Sequence, residues 1–264
     1  GLGGEQVEGR QAVRELLRAN RRSVRSLLMA DGMDTSPILD EIERLAAKRR
    51  VRVEHVSRRR LDSVARTDSS QGVVALARPV EETPLDALSG SDEARPPFLL
   101  VLDGITDPHN VGALLRTAEC AGVTGVILPR HRSAHLSPTV TKVAAGAIEY
   151  LRIALVAGIP AALRQLSDRG VWTIGMVGEA GQSFYELSLG DEPMAIVLGS
   201  EGAGLGALVR KRCDALARLP LLGALSSLNV STAGAIACFE VARRRSAGAE
   251  PVTVPGGPVP PRLV

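Results

Sequence analysis

Apolar residues recur along this chain in two rhythms. In the first 80 residues they are spaced for short, half-buried elements. Val13, Leu16 and Leu17 lie at helical spacing within 9–20, and Ile38, Ile42 and Leu45 do so after Ser36-Pro37. A serine followed by proline reads as an N-cap with proline at the first helical position. Residues 24–29, 51–56 and 72–78 have strand character, and Ser57 is placed to cap a short helix running to about Ala65. The pattern predicts a compact α/β unit over residues 5–80.

The second rhythm is coarser. Residues 98–103, 124–128, 151–156, 171–177, 194–198 and 215–219 are apolar strand runs. They alternate with helical segments near 110–121, 138–147, 160–169, 205–212 and 229–245. Apolar strands between helices predict a parallel sheet covered on both faces, spanning 98–245. Residues 81–97 are acidic and rich in Pro, Gly and Ser, which predicts an interdomain linker. Residues 246–264 lose helical periodicity and gain Pro and Gly, which predicts a disordered tail.

Charge changes this picture more than overall composition does. The chain carries a net charge of +3. Residues 1–80 hold 16 Lys/Arg against 11 Asp/Glu, whereas the remainder holds 16 against 18. The basic excess lies in Arg21-Arg22, Lys48-Arg49-Arg50 and Arg58-Arg59-Arg60, a composition suited to phosphate contacts and equally to a solvated surface. Aromatic content of 2% argues against a base-stacking platform for single-stranded RNA. Cys120, Cys213 and Cys238 are scattered without a C-x-x-C, which fits a reducing compartment and neither a disulfide framework nor a zinc site. His131 and His135 stand four apart without a following acid or third ligand, so no metal is expected. No apolar run reaches membrane-span length and no signal-peptide pattern occurs, so a soluble, cytoplasmic protein is expected.

Three polar, glycine-bearing segments each follow a predicted strand, where ligands sit in parallel α/β sheets. The first holds Asp103, Asn110, Gly112, Arg116 and Thr117. Here Asn110 is placed to cap a helix, and Arg116 projects from its second turn. The second runs from Leu198 through Gly199, Ser200, Glu201, Gly202 and Gly204. It fits neither G-x-G-x-x-G nor a P-loop, which argues against a standard dinucleotide or nucleotidase fold. The third holds Leu219, Leu221, Gly223, Ser226, Ser227, Leu228, Asn229 and Ser231. Taken singly, these residues also read as helix caps and glycine turns.

Taken in order, the segments resemble the motifs of the SpoU family of RNA ribose 2′-O-methyltransferases, in its TrmH/RlmB-like group. Asn110 to Thr117 is similar to N-x-G-a-x-x-R-T, Gly199 to Gly204 to G-x-E-G-x-G, and Leu219 to Ser231 to I-P-M-x-G-x-x-x-S-L-N-V-S. Leu219 and Leu221 replace Ile and Met. Residues 5–80, with Gly9-Arg10 and Gln71-Gly72-Val73, resemble the L30e-like RNA-binding domain that precedes such enzymes in bacteria.

The resemblance implies a deep C-terminal trefoil knot, S-adenosylmethionine as cofactor and a homodimer whose active site is completed across the interface. It implies a cofactor pocket formed by Met176, Val177, Gly178, Leu198, Gly199, Gly202, Leu219, Leu221, Ser227 and Leu228. It implies catalytic roles for Asn110, Arg116, Glu201, Ser227 and Asn229, with Arg116 as base or, because a guanidinium normally keeps its proton, as phosphate clamp. The front domain points to large rRNA over tRNA, and the family match to a guanosine of 23S rRNA as target. A tRNA guanosine, a 23S adenosine of the thiostrepton-resistance type, and RNA binding without catalysis are the other readings.

Overall fold

The computed structural model describes residues 1–90 and 96–246. The N-terminal unit runs β1 (Gln6–Glu8), α1 (Arg10–Ala19), β2 (Val24–Ala30), α2 (Pro37–Lys48), β3 (Val53–Val56), α3 (Arg58–Val64) and β4 (Val73–Ala77). Its sheet has the order β1-β4-β2-β3. The β2–β3 pair is parallel and the other two pairs are antiparallel. Val13, Leu16 and Leu17 of α1 pack with Ile42 of α2 against Leu27 and Val73.

Strand β1 departs from the sequence pattern, which predicts no strand before residue 9. Its Glu8 is fully buried. The carboxylate accepts hydrogen bonds from the backbone N–H of Arg66 (2.7 Å) and Thr67 (3.1 Å), the Thr67 hydroxyl (2.5 Å) and Gln6 Nε2 (2.7 Å). A buried charge needs such partners, and these backbone partners lie 58 and 59 residues away. Local alternation does not encode them.

The second unit contains α4 (Leu85–Ser89), β5 (Phe98–Asp103), α5 (Pro108–Cys120), β6 (Gly125–Pro129), α6 (Pro138–Val143), β7 (Ile153–Val156) and α7 (Ile159–Ser167). It continues through β8 (Trp172–Met176), β9 (Gln182–Ser183), β10 (Met194–Gly199), α8 (Ala207–Arg212), β11 (Ala215–Arg218) and α9 (Val230–Ser246). The sheet order is β7-β6-β5-β10-β8-β11-β9, and every pair is parallel. Alternate residues of β5 serve opposite cores. Phe98, Leu100 and Leu102 join Leu114 of α5 and Val241 of α9 on one face. Leu99 and Val101 join Leu163 of α7 and Val209 of α8 on the other. Each such buried side chain contributes roughly 1.5–3 kcal/mol relative to exposure. Because the strands are parallel, β5, β8, β10 and β11 end along one edge of the sheet.

The expected linker is only partly a linker. Thr83 donates its N–H to the Ile153 carbonyl, and α4 buries Leu88 against the sheet beside Gly125. Leu85 and Leu88, three apart in a polar stretch, are the local reason. Of the predicted tail, Ser246 closes α9 and residues 247–264 lie outside the described residues.

The two units are docked. Arg22 of the front unit is buried and forms a two-pronged ion pair with buried Glu149, at 2.9 and 2.6 Å. The same guanidinium donates to the Gly4 and Arg78 carbonyls, and Arg21 donates to the Glu149 carbonyl. Gly4 donates its N–H to the Leu136 carbonyl, and Leu136 donates to that of Leu2, whose side chain is buried in the core of the second unit.

Candidate active site

Beyond the C-terminal ends of β8, β10 and β11 lies a pocket of about 650 Å³. Its apolar walls are Met176, Val177, Leu198, Leu219, Leu221 and Leu228, and its polar rim includes Glu201, Ser226 and Ser227. Gly178, Gly199 and Gly202 also line it. All ten residues expected to bind a cofactor therefore stand around one cavity.

The wall after β10 is built by close backbone approach. A Cβ at Gly199 would lie 2.2 Å from the Gly204 carbonyl carbon and 2.4 Å from the Leu205 nitrogen, so only glycine fits. Gly204 donates its N–H to the Ser200 carbonyl at 2.9 Å, and Gly202 and Gly204 adopt φ of +80° and +64°. These are left-handed values that glycine adopts without steric cost. The turn projects Glu201 beside the pocket.

The structure corrects the cap of α5. Asp107 is the N-cap: its carboxylate accepts the N–H groups of His109 and Asn110 at 3.2 and 3.3 Å, and Pro108 takes the first helical position. Asn110 therefore lies within the first turn, which frees its side chain. Its Nδ2 donates to Glu201 Oε1 at 3.1 Å, and its Oδ1 accepts from Asn229 Nδ2 at 3.0 Å. Asn229 Nδ2 also donates to Glu201 Oε1 at 2.7 Å. At its other end, Asn229 Oδ1 accepts from the N–H groups of Ser231 and Thr232 and from the Ser231 hydroxyl, as an N-cap of α9 does. One amide thus starts a helix and ties the three segments into a closed Asn110–Glu201–Asn229 triangle.

Two glycines make that triangle possible. A Cβ at Gly112 would meet Val143 Cβ at 2.6 Å, so α5 lies tight against α6. One at Gly234 would meet Leu114 at 2.4 Å and Leu198 at 2.7 Å, so α9 lies tight against α5 and β10.

Two of the five expected catalytic residues stand outside the triangle. Ser227 is on the pocket rim and has no hydrogen bond among the described residues. Arg116 is exposed in the third turn of α5, outside the pocket lining, and unpaired with any carboxylate among the described residues. It lies one turn beyond Gly112 on the same helix face. Conversely, the pocket includes Arg210 and Arg218, which no motif marks. Arg210 pairs with Glu179 at 3.3 Å, and Arg218 donates to the Ala180 and Gly181 carbonyls at 2.6 and 3.2 Å, fixing the turn after β8. Their place, within α8 and at the end of β11, becomes meaningful only once the strand order is known. His131 and His135 lie in the loop after β6, and no cluster of three metal-ligating side chains occurs among the described residues. No helix among them is long and apolar enough to cross a membrane.

A parallel sheet with a half-apolar pocket at its strand ends, and a polar cluster fixed beside that pocket, defines an α/β domain built to hold a small organic ligand next to a reacting group. Within that class the chain belongs to the SpoU rRNA methylase family, which matches residues 97–239. Residues 6–83 match the RNA 2′-O ribose methyltransferase substrate-binding domain. Relatives named 23S rRNA (guanosine-2′-O-)-methyltransferase RlmB include that of Pseudomonas syringae pv. tomato, 42% identical over 94% of this chain and 98% of that protein. The protein of that name from Pseudomonas aeruginosa is 44% identical over 92% and 97%. A crystal structure of an RNA 2′-O ribose methyltransferase superposes with TM-score 0.73 at 26% identity, covering 90% of this chain and 88% of that one. The SpoU methyltransferase AviRb of Streptomyces viridochromogenes, in complex with AdoMet, shares the fold with TM-score 0.76 at 22% identity, over 92% and 91%.

Proposed function

We propose that this chain transfers a methyl group from S-adenosylmethionine to the 2′-hydroxyl of a guanosine ribose in 23S rRNA. The observation that carries the reading is the Asn110–Glu201–Asn229 triangle on the rim of the 650 Å³ pocket. The similarity to RlmB proteins over more than nine-tenths of the chain supports the rRNA guanosine as target.

The pocket suits the cofactor chemically. Leu198, Leu219 and Leu228 offer an apolar slot for a purine, and a Cβ at Gly178 would meet open space, so a ligand can approach the backbone there. Glu201 places a carboxylate near the position for a positively charged sulfonium. When bound, the cofactor supplies an electrophilic methyl group. The chain's own residues do the rest. Asn110 and Asn229 spend their amides on Glu201 Oε1, leaving Oε2 without a hydrogen-bond partner among the described residues. That oxygen is available to accept the ribose hydroxyl. Ser227 offers a further hydroxyl on the same rim. Arg116, exposed and without a carboxylate partner among the described residues, acts as a cation toward RNA phosphate and the charge that develops in transfer.

We read the second unit as the trefoil-knotted methyltransferase domain, 98–245, and residues 5–80 as its RNA-binding front domain. The threading supports the knot: β10 inserts between β5 and β8, both earlier in the chain, and β11 then returns on the far side of β8. A homodimer fits the exposed apolar loop carrying Leu222 and Leu225, and would complete the site around Arg116. An rRNA substrate supports a cytoplasmic location.

The test is direct. The purified chain is titrated calorimetrically with S-adenosylmethionine and with NAD, then given unmethylated 23S rRNA and tRNA transcripts with radiolabelled cofactor. Binding of the methionine cofactor alone, with 2′-O-methylguanosine in digests of 23S rRNA, is the expected result. Methyl transfer to tRNA only, or to a 23S adenosine, overturns the target. Absence of cofactor binding by folded protein overturns the reaction.

A further inference from the structure

The front unit holds a second cleft, of about 480 Å³, lined by Arg10, Gln11, Ile38, Arg58 and Gln71. Its lining includes two arginines and no acid. Several other arginines of this unit are neutralised: Arg14 and Arg18 by Glu15 and Glu41, Arg22 by Glu149, and Arg60 by Glu54, while Arg58 of the cleft pairs through its Nε with exposed Asp62 at 3.5 Å. Arg10 has no carboxylate partner among the described residues, yet it is held. Its Nε donates to the Gln71 carbonyl at 3.1 Å, and its backbone N–H donates to Gln71 Oε1 at 2.9 Å.

The holder is itself fixed. Gln71 and Gly72 adopt positive φ of +55° and +80°. The loop that carries them is anchored upstream by the Arg66 and Thr67 bonds to buried Glu8. Among the described residues this leaves the two Nη groups of Arg10 without a carboxylate, one of them 4.0 Å from the Met33 sulfur, on a guanidinium whose Nε is already fixed. A planar fork with its charge unspent matches a phosphate.

A third cation comes from the other unit. A Cβ at Gly9 would lie 3.6 Å from Lys142 Cγ and 3.2 Å from Gln71 Oε1, so the Lys142 stem of α6 passes beside Gly9, the neighbour of cleft-lining Arg10. Lys142 has no carboxylate partner among the described residues. Helix α6 is also the one against which Gly112 of α5 packs, so it stands between this cleft and the helix that carries Asn110 and Arg116.

We propose that Arg10, with Arg58 and Lys142, grips a backbone phosphate of the substrate RNA at the seam between the two units, at a second point of contact apart from the reacting ribose. The proposal rests on the reading of this chain as an RNA methyltransferase. The docked Arg22–Glu149 pair would then hold this grip at a set position relative to the pocket.

Filter binding of a 23S rRNA transcript across a range of salt concentrations, without cofactor, tests it. Arg10→Gln should weaken binding about tenfold at moderate salt. It should reduce the slope of log affinity against log salt by about one, one phosphate contact's worth of released counterion, and leave S-adenosylmethionine affinity unchanged. Arg10→Lys should keep the slope. A purely structural role would lower the melting temperature and affinity but leave the slope intact, and that result overturns the proposal, as would an unchanged affinity. If Arg10→Gln fails to fold, Arg58→Gln and Lys142→Gln read the same slope, since neither side chain makes a bond to the loop. Methyl transfer by the parent chain is measured separately. Its failure would sink the enzymatic reading, whereas a normal parent with an unaltered Arg10→Gln slope would sink only this cleft.

Discussion

The two walls of the pocket at the strand ends are made by opposite means. The wall at 199–205 is locked: Gly199 and Gly204 touch backbone to backbone, Gly204 closes a tight turn on Ser200, and Leu205 is buried. The wall at 219–229 is open. Every residue from Pro220 to Asn229 is exposed, and the segment has no backbone–backbone hydrogen bond among the described residues until Asn229 accepts from Ala233. Its apolar residues are not scattered polar-loop exceptions, since Leu222 is 100% and Leu225 81% exposed. A loop that presents leucines to water is shaped for something that covers it. The locked wall is preorganised by the sheet, while the open wall has no such support from the described residues. Among the described residues, the Asn110–Glu201–Asn229 triangle is the one hydrogen-bonded tie between them.

Cutting that tie should have the largest effect. Glu201→Gln keeps the shape but removes the negative charge that receives both amides. Turnover should fall by roughly 10²–10³, the loss typical of one preorganised electrostatic contact, with cofactor affinity changed by only a few-fold. Single-turnover radiolabel transfer measures it, and near-normal turnover would remove Glu201 from the reaction. Next in size is the locked wall. Gly199→Ala introduces a methyl group where backbone atoms stand at 2.2 and 2.4 Å, which cannot yield as a side-chain end can. A loss of about 3 kcal/mol in stability is expected, at the upper end for overpacking, together with the cofactor site. Urea unfolding with and without S-adenosylmethionine would read both. A variant that still gained stability from the ligand would mean that this wall is less rigid than its contacts imply.

The same contrast explains what the sequence disclosed. Continuous apolar runs located the parallel strands because both faces of that sheet are buried, as Phe98–Leu102 show on alternate sides. The motif wording drew the three segments together, although no periodicity announces a triangle whose members are 28 to 119 residues apart. The cap of α5 was legible and easily overlooked: Asp107-Pro108 is the same cap-then-proline signal as Ser36-Pro37, while Asn110 answers to a different demand. Strand β1 and the roles of Arg210 and Arg218 were not legible, because each depends on a partner or strand neighbour far away in sequence. The threading of β10 between β5 and β8 is likewise invisible to local pattern. Chain crossings cost nothing that hydrophobic spacing records, and they are rare enough that no prior favours them.

The smaller predictions separate the cap from the tie, and the open wall from the chain's own stability. Asn229→Ala should cost about 1 kcal/mol of stability through the lost helix cap. It should also lower turnover, because the triangle opens at the same time. Asn229→Asp retains an N-cap acceptor but replaces the bridging amide with a charge beside Glu201. It should therefore keep the cap yet lose the turnover, and near-normal turnover in this variant would reduce Asn229 to a cap.

The least change in chain stability is expected for Leu222→Ser with Leu225→Ser. Neither side chain is packed in the single chain, so each should alter its intrinsic stability by under about 0.5 kcal/mol. The solution mass measured by light scattering should nevertheless fall to that of one chain, and amide exchange across 220–229 should no longer slow on adding S-adenosylmethionine. If the mass of the double variant stayed at two chains while 220–229 still became protected, the cofactor alone would order the open wall. The leucines would then be shaped for the ligand or the RNA, and the second copy would dock elsewhere.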